Sequence, residues 1–249
     1  CTTNNSPIKV FCEEIGSKWK ILFDGELECL DSPAEKKKAH FEGTFTATAP
    51  IFDFFLHANL KPMAEAFAKE KWNRNFFKEV QKNNQTHYEQ PGILTGELTI
   101  GEEKKSIDMP ALRDHSFGKR DWDYMDKHVW LMALLENGDV LNISMVSYPA
   151  IRNICVGNLY HNGKSISAIK IHTPDDLIQN GKGADSFTVH CHLENGENLL
   201  IKATREIHIP YSFSENQYHL LEGIGNFIIN DIKARGIIEF GFNKDSKRW

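Results

Sequence analysis

Hydrophobic and polar positions alternate along much of the chain, with the period of two that is typical of a half-buried β-strand. Between His40 and Ala49, phenylalanine, glycine and alanine fall on one face, and glutamate and threonine fall on the other. Similar runs predict strands at residues 8–12, 18–23, 26–30 and 86–100. Because the strand pattern begins almost at the first residue, we expect earlier strands to be missing.

A tight hairpin turn is predicted at Asp24-Gly25, between the second and third of these runs. An Asp-Gly pair readily adopts the positive φ that a two-residue turn requires.

The second half of the chain is more regular and carries three Asn-Gly pairs between alternating runs, at Asn137-Gly138, Asn162-Gly163 and Asn195-Gly196. Such pairs are the strongest short-range signal for a β-hairpin. About eight consecutive strands without helices predict a closed up-and-down antiparallel barrel, with a β-sandwich as the alternative. The long connections 173–185 and 209–217 are predicted to cover a barrel mouth.

One helix interrupts the strands of the first half. Pro62 suits the first turn of a helix, and apolar residues recur at helical spacing until about residue 81. We therefore predict an amphipathic helix over about residues 62–81, packed over one barrel end. The fold class is all-β, mainly antiparallel, with an N-terminal β domain at 1–122 and an eight-stranded barrel at 123–249.

Composition limits the partners of the chain. Its 249 residues carry a net charge of −5, which gives no basic surface for nucleic acid. No apolar run approaches the roughly 20 residues that span a bilayer, so no stable membrane insertion is expected. Five scattered cysteines, odd in number and never in a C-x-x-C pair, favour reduced, mostly buried thiols and a cytoplasmic location.

The densest group of polar side chains lies between Asp108 and Trp122, where three aspartates, two arginines, a lysine, a histidine and a serine occur within fifteen residues. If this segment is extended, Arg113 and His115 project to one side and Asp114 to the other. Adjacent Asp114 and His115 therefore cannot pair with each other. The segment is interpreted as a catalytic or binding site at a domain junction, or equally as a charge network that links the two halves.

Other polar groups give weaker predictions. His190-Cys-His192 places two histidines on the polar face of a strand without an obvious third ligand, so solvated histidines are favoured over a metal site. Glu222 and Glu239 interrupt apolar strands, and each is expected to face either the barrel lumen or water. No glycine pattern predicts a nucleotide site, and we predict neither a metal nor an organic cofactor.

The segment Arg113-Asp-His-Ser-Phe-Gly-Lys-Arg-Asp-Trp122 resembles the R-D-H-S-W-G-x-R-x-W stretch of a family of two-domain, lipocalin-like (calycin-type) proteins, with Phe117 in place of tryptophan. Glu222–Phe227 and Arg235–Gly241 resemble, less closely, the closing E-G-x-G-x-F and R-G-x-G-x-x-E segments of that family. The family is distantly similar to AttH-like proteins and carotenoid 1,2-hydratases, and related domains are fused to phosphoenolpyruvate-synthase-like proteins in animals. The resemblance covers about residues 15–245. It implies two lipocalin-like β-barrel domains, of which the first is incomplete and carries the helix.

The resemblance also implies a site, inside or between the barrels, for a lipophilic small molecule such as an isoprenoid or a lipid. Our first hypothesis is that the protein binds this ligand and, if it is catalytic, hydrates, isomerises or cyclises it by acid/base chemistry without a cofactor. The expected catalytic residues are Asp114, His115 and Arg120, and the expected ligand-binding residues are Arg113, Ser116, Phe117, Trp122, Trp130 and Glu222, with Phe52, Phe54 and Phe55 as further aromatic lining. The alternative is a non-enzymatic carrier or regulatory module of a larger enzyme, in which the central segment connects two domains.

Overall fold

The fold is known from a computed structural model, which describes residues 6–29, 32–74, 76–78, 85–118, 121–179, 181–213, 215 and 217–245. In chain order the elements are β1 (Ile8–Glu14), β2 (Lys18–Cys29), β3 (Ser32–Ala47), β4 (Phe52–Asp53), α1 (Leu60–Ala68), β5 (Gln85–Ile100), β6 (Glu103–Gly118), β7 (Lys127–Leu135), β8 (Val140–Ser147), β9 (Ile154–His161), β10 (Lys164–His172), β11 (Ile178–Gln179), β12 (Lys182–Gly183), β13 (Ser186–Leu193), β14 (Asn198–Phe213), β15 (Tyr218–Ile229) and β16 (Ile232–Asn243). The all-β, mainly antiparallel fold class is confirmed.

The chain divides into two compact units. The first contains Cys1–Ile51 and Tyr88–His115, and the second contains Phe52–His87 and Ser116–Trp249. The domain boundary at residue 122 stays a prediction of the sequence.

The first unit is built on an antiparallel sheet in which β1, β2, β3 and β5 are neighbours in that order, and β6 pairs with β5. Trp19 of β2 and Phe45 of β3 are cross-strand partners whose rings lie 5.8 Å apart, and both are buried. Within the described strands the sheet is open.

The predicted turn at Asp24-Gly25 is wrong. β2 runs through both residues, and Asp24 pairs with His40 of β3 while Gly25 pairs with Ala39. The chain reverses before β2, at residues 15–17, where Gly16 has φ of 78°. Because β2 pairs with β1 on one side and β3 on the other, the sheet holds the Asp-Gly pair extended despite its turn preference.

The second unit contains a closed barrel of eight antiparallel strands. The order is β7, β8, β9, β10, β13, β14, β15 and β16, and β16 pairs with β7 to close the ring. All three predicted Asn-Gly turns are confirmed, with φ of 89° at Gly138, 74° at Gly163 and 89° at Gly196. The up-and-down barrel is therefore confirmed over the β-sandwich.

The lumen of this barrel is filled by hydrophobic side chains from all eight strands. They form one buried cluster whose larger members include Leu131, Ile143, Ile201, Phe227 and Phe240. An eight-stranded barrel is wide enough for its own side chains to fill it or for one small ligand, and here the buried cluster occupies the interior. Strand positions that alternate with this cluster therefore lie on the outer wall.

A short hairpin of β11 and β12, within the connection predicted to cover a barrel mouth, packs against the same core. Leu177 and Ile178 belong to the lumen cluster. A Cβ added at Gly183 would lie 2.2 Å from the Phe240 ring, so the backbone of β12 rests directly on that side chain. Arg205, whose guanidinium donates to the Gly183 carbonyl at 3.1 Å and to Asp185 at 2.6 Å, ties the hairpin to β14.

The second long connection is not a loop in its first half, so the prediction for residues 209–217 is wrong there. β14 continues to Phe213 and pairs with β15 as far as Tyr218. β13 ends its pairing with β14 at Thr204. Pro210 is tolerated because a proline that donates no hydrogen bond fits a strand segment paired on one side.

Helix α1 is shorter than the helix predicted for residues 62–81, of which residues 75 and 79–81 lie outside the described part of the chain. α1 covers Leu60–Ala68, with the Asn59 side chain accepting from Lys61 N at 3.0 Å as its N-cap. After Ala68 the indole of Trp72 donates to the Phe67 carbonyl at 2.7 Å, and Asn73 caps a separate helical turn through Phe76 N at 3.0 Å. The two side chains thus end one helix and begin another.

This helical segment packs on the side of the barrel, where α1 contacts β9 and β10. Ala66, Phe76 and Ile151 form a small second core. Among the described residues, no helix has the length and apolar character needed to cross a membrane.

Candidate functional site

The predicted central segment lies in strand β6 as far as Gly118, and residues 119 and 120 are outside the described residues. Since Arg113 to Phe117 are extended, Arg113 and His115 project to the same side, and both reach Tyr88 of β5. Asp114 is exposed. The alternation inferred from the sequence therefore holds for the two basic side chains, and Tyr88 is the partner that brings them together.

Arg113 is anchored within the first unit. Its guanidinium carbon lies 4.2 Å from the Trp19 ring centre and 4.9 Å from that of Tyr88. It donates to the Tyr88 hydroxyl at 3.4 Å and to Gln90 Oε1 at 3.3 Å. Gln90 is 2% exposed, and its amide donates at 3.0 Å to the carbonyls of Gly16 and Ala49. Arg113 thereby connects β6 to a buried polar network.

His115 is the second basic partner of Tyr88 in this group. Its Nδ1 lies 2.5 Å from the Tyr88 hydroxyl, and its ring meets the Tyr88 ring edge-on at 5.1 Å. Imidazole and phenol can exchange a proton over such a bond, and the Arg113 guanidinium donates to the same phenol oxygen at 3.4 Å. The first unit therefore carries a Tyr–His pair capable of proton transfer.

A second polar group lies on the outer wall of the barrel in the second unit. His128 Nδ1 lies 2.7 Å from the Tyr218 hydroxyl, and His128 Nε2 lies 2.5 Å from Glu239 Oε1. Tyr218 is 0% exposed, whereas the side chains of His128 and Glu239 retain 13% and 16% exposure. We call Tyr218, His128 and Glu239 the outer-wall triad.

The proton positions in the triad follow from its acceptors. An ionised Glu239 carboxylate accepts only, so His128 Nε2 carries the hydrogen that it receives. His128 Nδ1 then accepts from the Tyr218 hydroxyl when the imidazole is neutral. Glu239 and Tyr218 thus hold the ring from both sides, and the proton shared with Glu239 is at the partly exposed end.

A glycine makes this geometry possible. Gly241 of β16 is the cross-strand partner of His128 on β7. A Cβ at Gly241 would lie 2.4 Å from His128 Nδ1 and 2.7 Å from the Tyr218 hydroxyl. Any larger residue at 241 would occupy the space in which the two side chains meet.

Aromatic and carboxylate side chains surround the triad. Trp122 stacks on Phe213 at 4.8 Å and contacts Tyr218 at 5.1 Å. Glu239 pairs across the strands with Glu222 on one side and Trp130 on the other, which places their Cβ atoms about 5 Å apart. The Trp130 indole donates to Asn142 Oδ1 at 3.0 Å.

The predicted site residues fall into two groups. Arg113, Asp114 and His115 belong to the first unit, and Trp122, Trp130 and Glu222 belong to the second, beside the triad. Ser116 and Phe117 are exposed at the end of β6, and Arg120 lies outside the described residues. The three phenylalanines of the predicted aromatic lining all belong to the second unit and differ in exposure: Phe52 is buried, Phe54 stacks on His87 at 4.3 Å, and Phe55 is 82% exposed.

Sequence reasoning missed His128 and Tyr218 and did not place Glu239 correctly. Glu239 faces the outer wall and is hydrogen-bonded to His128, so it is neither in the lumen nor simply in water. The available signal was alternation: lumen positions on β7 are odd-numbered and those on β16 are even-numbered. His128 and Glu239 therefore fall on the outer face together, and the pairing of β16 with β7 brings them into contact.

Two solved structures share the fold of the chain. An AttH-like protein from Nitrosomonas europaea matches with a TM-score of 0.53 and 14% identity, over 89% of this chain and 67% of its own. Kievitone hydratase from Nectria haematococca matches with a TM-score of 0.59 and 12% identity, over 97% of this chain and 69% of its own. No curated protein matches the sequence significantly.

A family model covers nearly the whole chain. Residues 3–244 match the model described as domain of unknown function (DUF7064). The chain therefore belongs to the DUF7064 family.

Proposed function

We propose that the protein binds a lipophilic small molecule on the outer wall of its barrel and acts on it by acid/base chemistry, as a hydratase or isomerase. The observation that carries the proposal is the Tyr218–His128–Glu239 chain of hydrogen bonds. Addition of water to a double bond, or migration of that bond, needs one group that donates a proton and one that accepts a proton. Neither step requires an organic cofactor.

The location of the triad supports such chemistry. His128 and Glu239 are mostly removed from water yet keep an accessible edge, so a bound molecule can contact the shared proton. The indole surfaces of Trp122 and Trp130 lie close by and suit an apolar ligand. The lumen, in contrast, is already filled by side chains of the barrel. A ligand there would have to displace packed residues, which favours the outer wall.

The residues have different roles in this proposal. Glu239 and His128 are the acid/base pair, and Tyr218 is a positioning residue because it is completely buried. Trp122, Trp130 and Glu222 contact the ligand. Asp114 and His115 remain predicted acid/base groups of the first unit, where the His115–Tyr88 bond supports a proton-transfer role. The fold of kievitone hydratase agrees with a hydratase but is evidence for the fold alone.

A second candidate function is a non-enzymatic binding or regulatory module. The observation in its favour is Arg113, whose guanidinium is committed to Trp19, Tyr88 and Gln90. An arginine held in this way stabilises its own unit and is a poor ligand contact. In this alternative the first unit is structural, and the outer wall of the barrel binds without turnover.

Native mass spectrometry of the chain after incubation with a total lipid extract tests the binding step. Bound species are identified by mass and then incubated with the protein in ¹⁸O-labelled water. A hydratase adds the mass of one labelled water, whereas an isomerase changes retention time without changing mass.

Variants separate the two functions. We expect Glu239→Gln and His128→Gln to abolish turnover while the protein still binds, and Glu206→Gln, at an exposed ion pair with Arg235, to act as the matched control. Asp114→Asn and His115→Ala test the central segment separately. Full turnover in the Glu239 and His128 variants would refute the catalytic proposal, and binding without turnover in the unmodified protein would establish the second function.

A further inference from the structure

Three histidines occupy neighbouring strand positions on another part of the barrel surface, away from the lumen and from the outer-wall triad. His190 and His192 alternate with Cys191 and Val189, which belong to the lumen core, so both histidines face outward from β13. His172 of β10 is the direct cross-strand partner of His190. Thus the sequence pattern His-x-His, which alone offers two ligands, receives a third from the neighbouring strand.

The strand positions of these histidines put their rings within reach of one shared metal ion after rotation of the side chains. Directly paired residues on antiparallel strands have Cβ atoms about 5 Å apart. The ring centres of His172 and His192 lie 6.2 Å apart, with an angle of 80° between the planes. Two imidazoles bound tetrahedrally to Zn²⁺ through bonds of about 2.1 Å have ring centres about 5 Å apart. His172 and His190 are exposed, so rotation of their side chains can close this difference of about 1 Å.

One of the histidines is already oriented as a ligand. His192 Nδ1 is hydrogen-bonded to Asn198 Oδ1 on β14. Because an amide oxygen only accepts, Nδ1 carries the hydrogen, and the Nε2 lone pair is left for another partner. A ligating histidine commonly donates its other ring N–H to a carbonyl in this way, which fixes the tautomer and the direction of the ring.

The surrounding charges are mixed. Lys170 is the cross-strand partner of His192, and its positive charge repels a metal cation. The negative charge of Glu65 on α1 has the opposite effect at His172. Neutral imidazole is the form that binds a metal ion.

We propose that His172, His190 and His192 form a surface site for a divalent transition-metal ion of the Zn²⁺ class, with Asn198 as a positioning residue. Water completes the tetrahedral coordination. The neutral nitrogen ligands favour Zn²⁺, Cu²⁺ or Ni²⁺ over Mg²⁺ and Ca²⁺, which prefer oxygen ligands. The site is independent of the acid/base function proposed for the triad.

The test is titration of the full chain, stripped with a chelator and kept reduced, with Zn²⁺ in a calorimeter and with Co²⁺ in an absorption spectrometer. We expect saturable binding of one ion at this site and visible Co²⁺ absorption of tetrahedral type without the intense band of thiolate ligation. Mg²⁺ in the same titration is expected to give no heat of binding.

The variants His172→Ala, His190→Ala and His192→Ala are each expected to weaken this binding by roughly tenfold or more. His208→Ala, at an exposed histidine on β14, is the matched control and should bind as the unmodified protein does. Asn198→Leu should weaken binding less than loss of a ligand, and Asn198→Asp should restore it because a carboxylate also accepts from Nδ1. Circular dichroism verifies that each variant is folded. Absence of saturable binding, binding that survives all three histidine substitutions, or a strong thiolate band would each overturn the proposal.

Discussion

Gly241 lies directly opposite His128 on the paired strands β16 and β7, and its missing side chain leaves the space in which the imidazole reaches Tyr218. The hydrogen bond between His128 and Tyr218 joins residues that are 90 positions apart in the sequence. The triad therefore depends on the smallest residue of β16 as much as on its own three side chains.

The substitution Gly241→Ala should push His128 away from Tyr218. An added Cβ would lie 2.2 Å from His128 Cε1, which no small adjustment relieves. We expect unfolding in urea to show a loss of about 1–3 kcal/mol, the usual cost of overpacking. In the double variant Gly241→Ala/His128→Ala the clash with the imidazole is absent and only the 2.7 Å approach to the Tyr218 hydroxyl remains, so the added cost of the glycine substitution should be smaller. An equal cost in both backgrounds would contradict this account.

Tyr218→Phe removes only the hydroxyl of the triad. Without the hydroxyl, the mostly buried His128 Nδ1 loses its hydrogen bond to residue 218. We therefore expect the free energy of unfolding to fall by about 1–3 kcal/mol. Tyr211→Phe is the matched control, because Tyr211 is 45% exposed and should change stability little. If the two variants lose the same stability, the hydroxyl of Tyr218 has no special part in the fold.

Arg113→Lys keeps the charge but removes the flat guanidinium that lies over Trp19. We expect a loss of about 1–2 kcal/mol from the stacking and forked hydrogen bonding that lysine cannot reproduce. A change in the emission of Trp19 should accompany it, since the cation leaves the ring. Arg235→Lys, at an exposed pair with Glu206, is the control. Equal stability of the two variants would speak against the anchoring role of Arg113.

The two thiols of the lumen should make stability fall at alkaline pH. Burial raises the pKa of Cys155 to about 11 and, together with the charge of Cys155, that of Cys191 to about 12, from an ordinary value of 9.0. Above pH 9 the unfolded chain loses these protons while the folded chain keeps them, so rising pH favours unfolding until the folded thiols ionise. Below pH 9 both states are protonated, and the contribution is constant.

The measurement is the free energy of unfolding between pH 8 and pH 11. This window covers the interval from the ordinary thiol pKa of 9.0 to the folded-state pKa of Cys155, about 11. We expect the variant Cys155→Ala/Cys191→Ala to be less stable at every pH but to lose stability less steeply above pH 9. A thiol reagent followed by peptide mapping should label exposed Cys12 well before Cys155 and Cys191 in the folded protein. Equal slopes for the variant and the unmodified chain would show that the buried thiols do not contribute.

Local sequence predicted the barrel well because its hairpins are local. Asn162-Gly163 turns the chain within two residues, and β9 and β10 pair immediately on either side of it. Asp24-Gly25 carries the same type of signal, yet it lies inside a strand because β2 gains partners on both edges. Whether a turn signal is used thus depends on pairing with distant strands, which no window around residue 24 contains.

The candidate site was harder to predict for a related reason. Arg113 and His115 could be identified from their density of polar neighbours, but their partners Tyr88 and Gln90 come from another strand. His128 and Glu239 are 111 positions apart and meet only because β16 closes the barrel against β7. Closure of a ring joins its first and last strands, so chemistry at that seam has no local signature in the sequence.

The packed interior of the barrel has a consequence for how this protein can change over generations. A hollow barrel must compromise between holding itself together and making room for a guest, because the same side chains serve both purposes. Here the lumen cluster forms the core of the barrel, and the outward positions of the same strands carry the outer-wall triad and the three histidines of β10 and β13. Substitutions at exposed outward positions therefore leave the packing of the interior intact, whereas those at buried positions of the triad, such as Tyr218, also cost stability.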